Sequence, residues 1–197
     1  MSEDKENIRQ KILEVAEKRI DHYGFNKTTV EEIAEDANIG KGSIYSHFKS
    51  KKEILIALIV AYNQCILKDI EEVFTSPLPV YERFLNLIIT RFVSIYEYCT
   101  KTSHGFEVAE AAATMKDELY QATIDFQMKM NGFLTELIKE GNQEGILNVK
   151  DPEKVADHIS TSFRILYPGY KLGKSWDEAR EYIETLVQLF FDGMRKH

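Results

Sequence analysis

Apolar positions recur along this chain with a helical period almost from end to end. Across residues 7–23, Ile8, Ile12, Ala16 and Ile20 return every four positions, with Leu13 and Tyr23 widening the stripe. That spacing predicts one helix with a single buried face, stopped by Gly24, a residue common just past a last turn. Thr29-Val-Glu-Glu32 has the form of a capping box, in which the threonine oxygen and the glutamate satisfy each other's orphan amides. Behind it Val30, Ile33, Ala34 and Ala37 follow i, i+3, i+4, i+7, predicting a second helix of about two turns. Asn38 and Gly40, which tolerate positive φ, then make a sharp turn inexpensive. Within 41–48, Ile44 and Phe48 can face inward, leaving Lys41, Ser43, Tyr45, Ser46 and His47 for other faces. Ser50 and Glu53 frame a second capping box, opening a long helix to about residue 74 that Ser76-Pro-Leu-Pro79 ends.

The pattern beyond Pro79 predicts longer helices over about 80–99, 104–112 and 115–141, the last ending at Gly141. Pro152 suits the first turn of a helix to about Tyr167, where Pro168-Gly169 interrupts it. Ser175 or Asp177 caps a final helix to about Met194. No internal repeat or low-complexity segment occurs. The expected fold is all-α with about nine helices: a small three-helix unit, a connecting helix, and a larger bundle. The expected domains are 1–50 and 51–197.

Composition narrows the class. The chain has 197 residues, 44% of them hydrophobic and 29% charged, as expected of a globular protein. Its longest apolar run, 54–62, is far short of the roughly 20 residues needed to span a bilayer. The polar amino terminus lacks the apolar middle of a signal peptide. Cys65 and Cys99 form no C-x-x-C and no disulfide framework. These features predict a cytoplasmic protein without membrane association. His22, His47, His104, His158 and His197 show no metal-ligand spacing, and no glycine-rich phosphate loop follows a strand. Cys99 and His104 could be imagined as nucleophile and base, but nothing supplies an orienting third group. No catalytic residue, metal or cofactor is therefore expected.

Charge changes the picture at one place. The chain carries a net charge of −7, yet residues 37–52 hold Lys41, Lys49, Lys51 and Lys52 and no acid. Two short helices joined by a tight turn and packed on a longer first helix make a helix-turn-helix, whose second helix can enter the DNA major groove. Gly42 would let the backbone approach DNA closely. Lys51, in the first turn of the connecting helix, would sit near a phosphate beside free amides. Tyr45, Ser43 and His47 offer hydrogen bonds to phosphates or bases. On periodicity and charge alone, a plain helix pair with a solvated basic face explains the segment equally well.

The stretch GFNKTTVEEIAEDANIGKGSIYSHFKSKKEIL at 24–55 resembles the amino-terminal region of the TetR family of transcriptional regulators. The resemblance runs through Gly24-Phe25, Thr28-Thr29, Ile33-Ala34 with Ala37, Lys41-Gly42-Ser43, Tyr45 with His47-Phe48, and Lys51, Glu53 and Leu55. It covers roughly 6–66; the rest matches only in helix number and length. It implies a DNA-binding motif at about 29–48 and a homodimer on a palindromic double-stranded operator. It also implies a carboxy-terminal domain that binds a small-molecule effector. The DNA-binding set expected on this basis is Thr28, Thr29, Lys41, Gly42, Ser43, Tyr45, Ser46, His47 and Lys51. Two positions depart from the family pattern. Gly40 stands where Ser or Thr is usual, removing a side-chain cap, and Arg19 stands where leucine is usual.

Aromatic residues crowd the second part of the chain. Each is explained by a helical core, but together they also suit an effector cavity lined by rings. Phe92 and Tyr96 lie four apart, as do Phe163 and Tyr167, and these four are the expected effector-binding residues. The expected effector is aromatic or lipophilic; Glu97, Glu107 and Glu110 would suit a cationic one. In the last helix Ile183, Leu186, Val187, Phe190 and Phe191 form one stripe, with Leu189 and Met194 beyond it. An apolar surface wider than one face needs a second cover, either a partner through the last two helices or burial within the monomer. The function implied is a ligand-responsive repressor released from its operator by the effector. The alternative is a helical interaction module that no longer binds DNA.

Overall fold

The periodic segments form ten helices among residues 2–165 and 175–196, the part of the chain described in a computed structural model. They are α1 (Ser2–Tyr23), α2 (Val30–Asp36), α3 (Lys41–Tyr45), α4 (Lys51–Thr75), α5 (Val80–Lys101), α6 (Gly105–Ala113), α7 (Lys116–Ala122), α8 (Ile124–Gln143), α9 (Pro152–Ile165) and α10 (Trp176–Met194). No strand occurs among the described residues; one isolated bridge pairs Leu147 with Arg195. The chain folds as two compact units. One comprises the described residues up to Asn63 together with Glu97–Thr123, the other Gln64–Tyr96 with the described residues from Ile124 onward. α4 passes from the first into the second at 63/64, and α5 returns to the first at 96/97.

The first unit is organised around the helix-turn-helix. Ile12, Leu13 and Ala16 of α1 pack on Val30, Ile33 and Ala34 of α2, on Ile44 and Phe48, and on Ile54 of α4. A second cluster joins Ile20, Phe25 and Leu55 to Val108 of α6 and to Met115. α1 ends because Gly24 adopts φ +89°, a conformation that L side chains rarely accept. α2 begins at a complete capping box: the Thr29 hydroxyl accepts from the Glu32 amide, and the Glu32 carboxylate accepts from the Thr29 amide. The turn after α2 places Asn38 at φ 53°, the left-handed region that asparagine enters more readily than most residues. α3 is shorter than the expected 41–48. Its last turn runs on to Phe48 through the His47 and Phe48 amides, both donating to the Ile44 carbonyl. At the start of α4 only half of the expected box forms: the Ser50 hydroxyl accepts from the Glu53 amide, while the Glu53 carboxylate takes the Lys49 amide.

The second unit buries Phe84 and Leu87 of α5, Leu134, Leu137 and Ile138 of α8, Ala156 and Ile159 of α9, and Ile183, Val187 and Phe191 of α10. α8 and α9 lie against each other, linked by a loop that Asn142 ties to Val149 through its amide and carbonyl. Gly141 lets that loop turn back, since a Cβ there would lie 2.7 Å from the Leu147 side chain. The helix expected across 115–141 is two helices. At Thr123 the backbone leaves the helical region (φ −107°, ψ 12°), and the buried hydroxyl donates to the Leu119 carbonyl at 2.8 Å. α10 opens at Ser175 with a complete capping box to Glu178. The interruption expected at 168–169 lies outside the described residues.

Candidate nucleic-acid interface

α3 carries Lys41, Gly42, Ser43 and Tyr45 of the expected contact set on a minimal scaffold, with Ser46 and His47 just after it. Ile44 is its one buried residue, and Phe48 follows on the same side. Lys41, Gly42, Tyr45 and Ser46 are exposed and Ser43 and His47 half-buried. No atom lies within 4 Å of where a Cβ on Gly42 would stand, so this glycine leaves the backbone open to an approaching surface. Gly40 caps α3 in extended conformation without a side-chain hydrogen bond. The Ser46 hydroxyl donates to the Ser43 carbonyl at 2.7 Å, which closes the last turn.

The remaining expected residues lie elsewhere. Thr28 is fully buried and its hydroxyl donates to the Gly24 carbonyl at 2.8 Å. The Thr29 hydroxyl is engaged in the α2 cap, donating to Glu32 as well as accepting from its amide. The Lys51 ammonium turns inward, donating to the Phe25 carbonyl at 2.6 Å and the Thr28 carbonyl at 2.7 Å while lying over the Phe25 ring. Burial pushes its pKa below the usual lysine range, against the pull of Glu107 and Glu32. Lys51 thus fastens the loop between α1 and α2 to the start of α4. Glu107 of α6 holds the same loop from another side, accepting from the Asn26 amide at 2.6 Å.

Two features escaped the pattern. Arg19 reaches from α1 to Glu32 and Asp36 of α2, and the hydrogen bond to Asp36 leads in raising its pKa. Its guanidinium also covers the Tyr23 ring. The departure from leucine thus replaces an apolar contact by an ion-pair clasp. The second is Glu31 of α2, whose carboxylate pairs with the Lys41 ammonium. The hydrogen bond between them raises the lysine pKa and lowers the glutamate pKa. An ammonium-to-ring contact also places Lys41 over Tyr45, at 5.6 Å. The acid-free segment therefore meets an acid supplied across the turn. No period or spacing rule links positions on two helices of different direction, so the sequence held no signal for it.

In the second unit, Phe92 of α5 and Phe163 of α9 stack edge to face at 5.7 Å, and Phe163 meets Phe190 of α10 at the same distance. Tyr96 lies 5.1 Å from Trp176. Three of the four expected effector residues are thus brought into aromatic contacts, with Phe190 and Trp176 as added members; Tyr167 lies outside the described residues. Among the described residues no group of three metal-ligating side chains occurs, and no helix is long and apolar enough to cross a membrane.

Residues 12–58 match the family model for bacterial regulatory proteins of the tetR family. The chain is 27% identical over 147 residues to the uncharacterized HTH-type transcriptional regulator YhgD of Bacillus subtilis, covering 74% of each chain. It is 24% identical over 141 residues to the fatty acid metabolism regulator protein of the same organism, covering 71% of this chain and 72% of that one. To the HTH-type transcriptional repressor KstR2 of Mycobacterium tuberculosis it is 31% identical over 87 residues, 44% of each chain. The solved structure of that ketosteroid transcriptional regulator superposes with a TM-score of 0.61 at 21% identity, covering 96% of this chain and 95% of that one. Residues 12–58 thus form an amino-terminal region of the type found in bacterial regulatory proteins of the tetR family, and the chain shares its helical fold with a solved regulator beyond that region.

Proposed function

We propose that this protein is a dimeric, ligand-responsive repressor that binds a palindromic operator through α3 and leaves it when a lipophilic effector binds. The observation that carries the reading is the build of α3: held by Ile44 and the following Phe48, it leaves Lys41, Gly42, Ser43, Tyr45, Ser46 and His47 on the open side. In a helix-turn-helix these are the positions that meet base edges and phosphates. In functional terms residues 1–50 form the DNA-binding domain and 51–197 the effector and dimerisation domain. Thr28, Thr29 and Lys51 serve that domain by holding the loop and cap that aim α2 and α3, with backbone amides left to face phosphates.

The effector reading rests on the rings of Phe92, Phe163 and Phe190 and of Tyr96 and Trp176. At these separations the rings touch one another, so they would form one aromatic wall for an apolar ligand rather than enclose it. Two relatives carry names tied to lipids, fatty acid metabolism in one and a ketosteroid in the other. A fatty acyl or steroidal effector is the class we infer here. The dimer reading rests on apolar side chains left open within the second unit: Leu189 of α10 at 64% exposure and Met128 of α8 at 67%, with Ile124 beside the latter's turn. The last two helices are the expected interface, and of these we infer that α10 contributes; the outward side of the first half of α9 carries Glu153, Lys154, Asp157 and His158. α8 is the better second contributor.

Titrating wild-type protein and a Tyr45→Ala, Ser43→Ala variant against duplex DNA over a range of salt tests the reading. Wild type is expected to lose affinity steeply, by about 0.9 in log–log slope per neutralised phosphate. The variant is expected to keep its helix content and lose sequence preference. A flat salt dependence, or no binding, favours the interaction-module alternative.

A further inference from the structure

The Glu31–Lys41 pair brings an acid to the start of α3, and resting on the DNA-binding reading above it has a consequence for specificity. A free lysine at the start of a recognition helix goes to phosphate, a contact that adds affinity for every sequence alike. Here the Lys41 ammonium is held between the Glu31 carboxylate and the Tyr45 ring. A lone carboxylate so close to duplex DNA would be repelled, but the pair is neutral. It also presents one donor and one acceptor side by side. Base pairs present both partners in the major groove. A G·C pair does so through guanine O6 and N7 as acceptors with cytosine N4 as donor, and an A·T pair through adenine N6 as donor beside adenine N7 and thymine O4. We propose that Glu31 is a specificity-determining residue, which withholds Lys41 from the phosphates and holds it toward base edges as half of a donor–acceptor pair.

The bland account is a solvated pair with Glu31 in the first turn of α2, where the helix dipole favours an acid. Both side chains are about half exposed, so such a pair is weak in water. The two accounts differ in what DNA sees. If Glu31 withholds Lys41, neutralising it frees one cation for one phosphate. If the pair is incidental, Lys41 reaches a phosphate in the wild type already.

The test measures binding to a random-sequence duplex between 50 and 200 mM salt for wild type, Glu31→Gln, Lys41→Ala and the double variant. Glu31→Gln is expected to steepen the log–log slope by about 0.9 and so lose about 3.5-fold more affinity than wild type across that range. Lys41→Ala leaves the Glu31 carboxylate without its cation and is expected to weaken binding, whereas the double variant, with neither charge, is expected to keep the wild-type slope and lack the gain. Selection of preferred duplexes with Glu31→Gln is expected to relax one base pair in each half-site. An unchanged slope in Glu31→Gln, a double variant whose slope falls below that of wild type, or a gain that survives in the double variant would overturn the proposal. A wild type that binds no duplex takes down the parent reading and this one with it, whereas a binding wild type with an unaltered Glu31→Gln slope takes down this one alone.

Discussion

Single residues fix the geometry on which the DNA-facing surface depends. Gly24 is required by its φ of +89°, which disfavours any side chain; a Cβ would also lie 2.4 Å from Oε2 of Glu107, displacing that flexible carboxylate. Gly24→Ala is expected to destabilise the protein by about 1–3 kcal/mol, the usual strain of such a backbone, as read by denaturant unfolding. Pairing it with Glu107→Ala should recover only the collision, since the backbone strain remains. Glu32 gives a pH-dependent case. Its carboxyl is held below the usual carboxylate range, first by the Thr29 hydroxyl and then by the Thr29 amide and Arg19. Its contribution is therefore complete above the unfolded pKa and fades as pH falls through the lower folded value. Unfolding midpoints of wild type and Glu32→Gln should differ near neutrality and converge as pH falls through the lowered folded pKa, below the usual carboxylate range. A constant difference would show that the cap acts without its charge.

Helices are the scale at which the sequence was most readable. The stripes of α1 and α2, the first capping box, the stop at Gly24 and the N-cap at Ser175 all follow from contacts within a few residues, which local pattern records. The break at Thr123 was not readable, because the apolar period runs through it and a single hydroxyl-to-carbonyl bond marks the bend. Nor were Arg19, Glu31 and Lys51 readable in their roles, since each acts on a partner set by the packing of other elements. α4 shows how such partners matter. Within the first unit its start is fastened by Lys51 to the carbonyls of Phe25 and Thr28. Within the second its end is closed by Arg83 of α5, which donates to the Phe74 and Leu78 carbonyls and pairs with Glu140 of α8. Lys51→Met keeps the stem over Phe25 and removes the donors, so it is expected to cost about 1–2 kcal/mol, the partly open carbonyls recovering some bonding from water. Amide exchange should rise first across residues 25–28. Unaltered exchange there would mean that the ammonium is not what holds the loop.

Dimerisation and operator geometry belong to the molecule as a whole. On the dimer reading proposed above, a second copy would cover the open apolar side chains on α8 and α10 with identical chemistry. Leu189→Glu would place a charge at the most exposed leucine of α10, and sedimentation should then report a monomer whose thermal midpoint no longer depends on concentration. A dimer that survives would move the interface elsewhere. Two recognition helices in one assembly impose a spacing of roughly 34 Å, or a multiple, to enter successive major grooves. An effector that favours another spacing shifts the population off DNA, needing about 5.5 kcal/mol of differential affinity to take it from 1:99 to 99:1. Selecting the full-length protein's preferred sites from a random duplex library tests this most directly. The account predicts an inverted repeat whose half-site centres lie about 10 base pairs apart or a multiple of that. A library that emerges without enrichment, or enriched for a single unrepeated site, would contradict it.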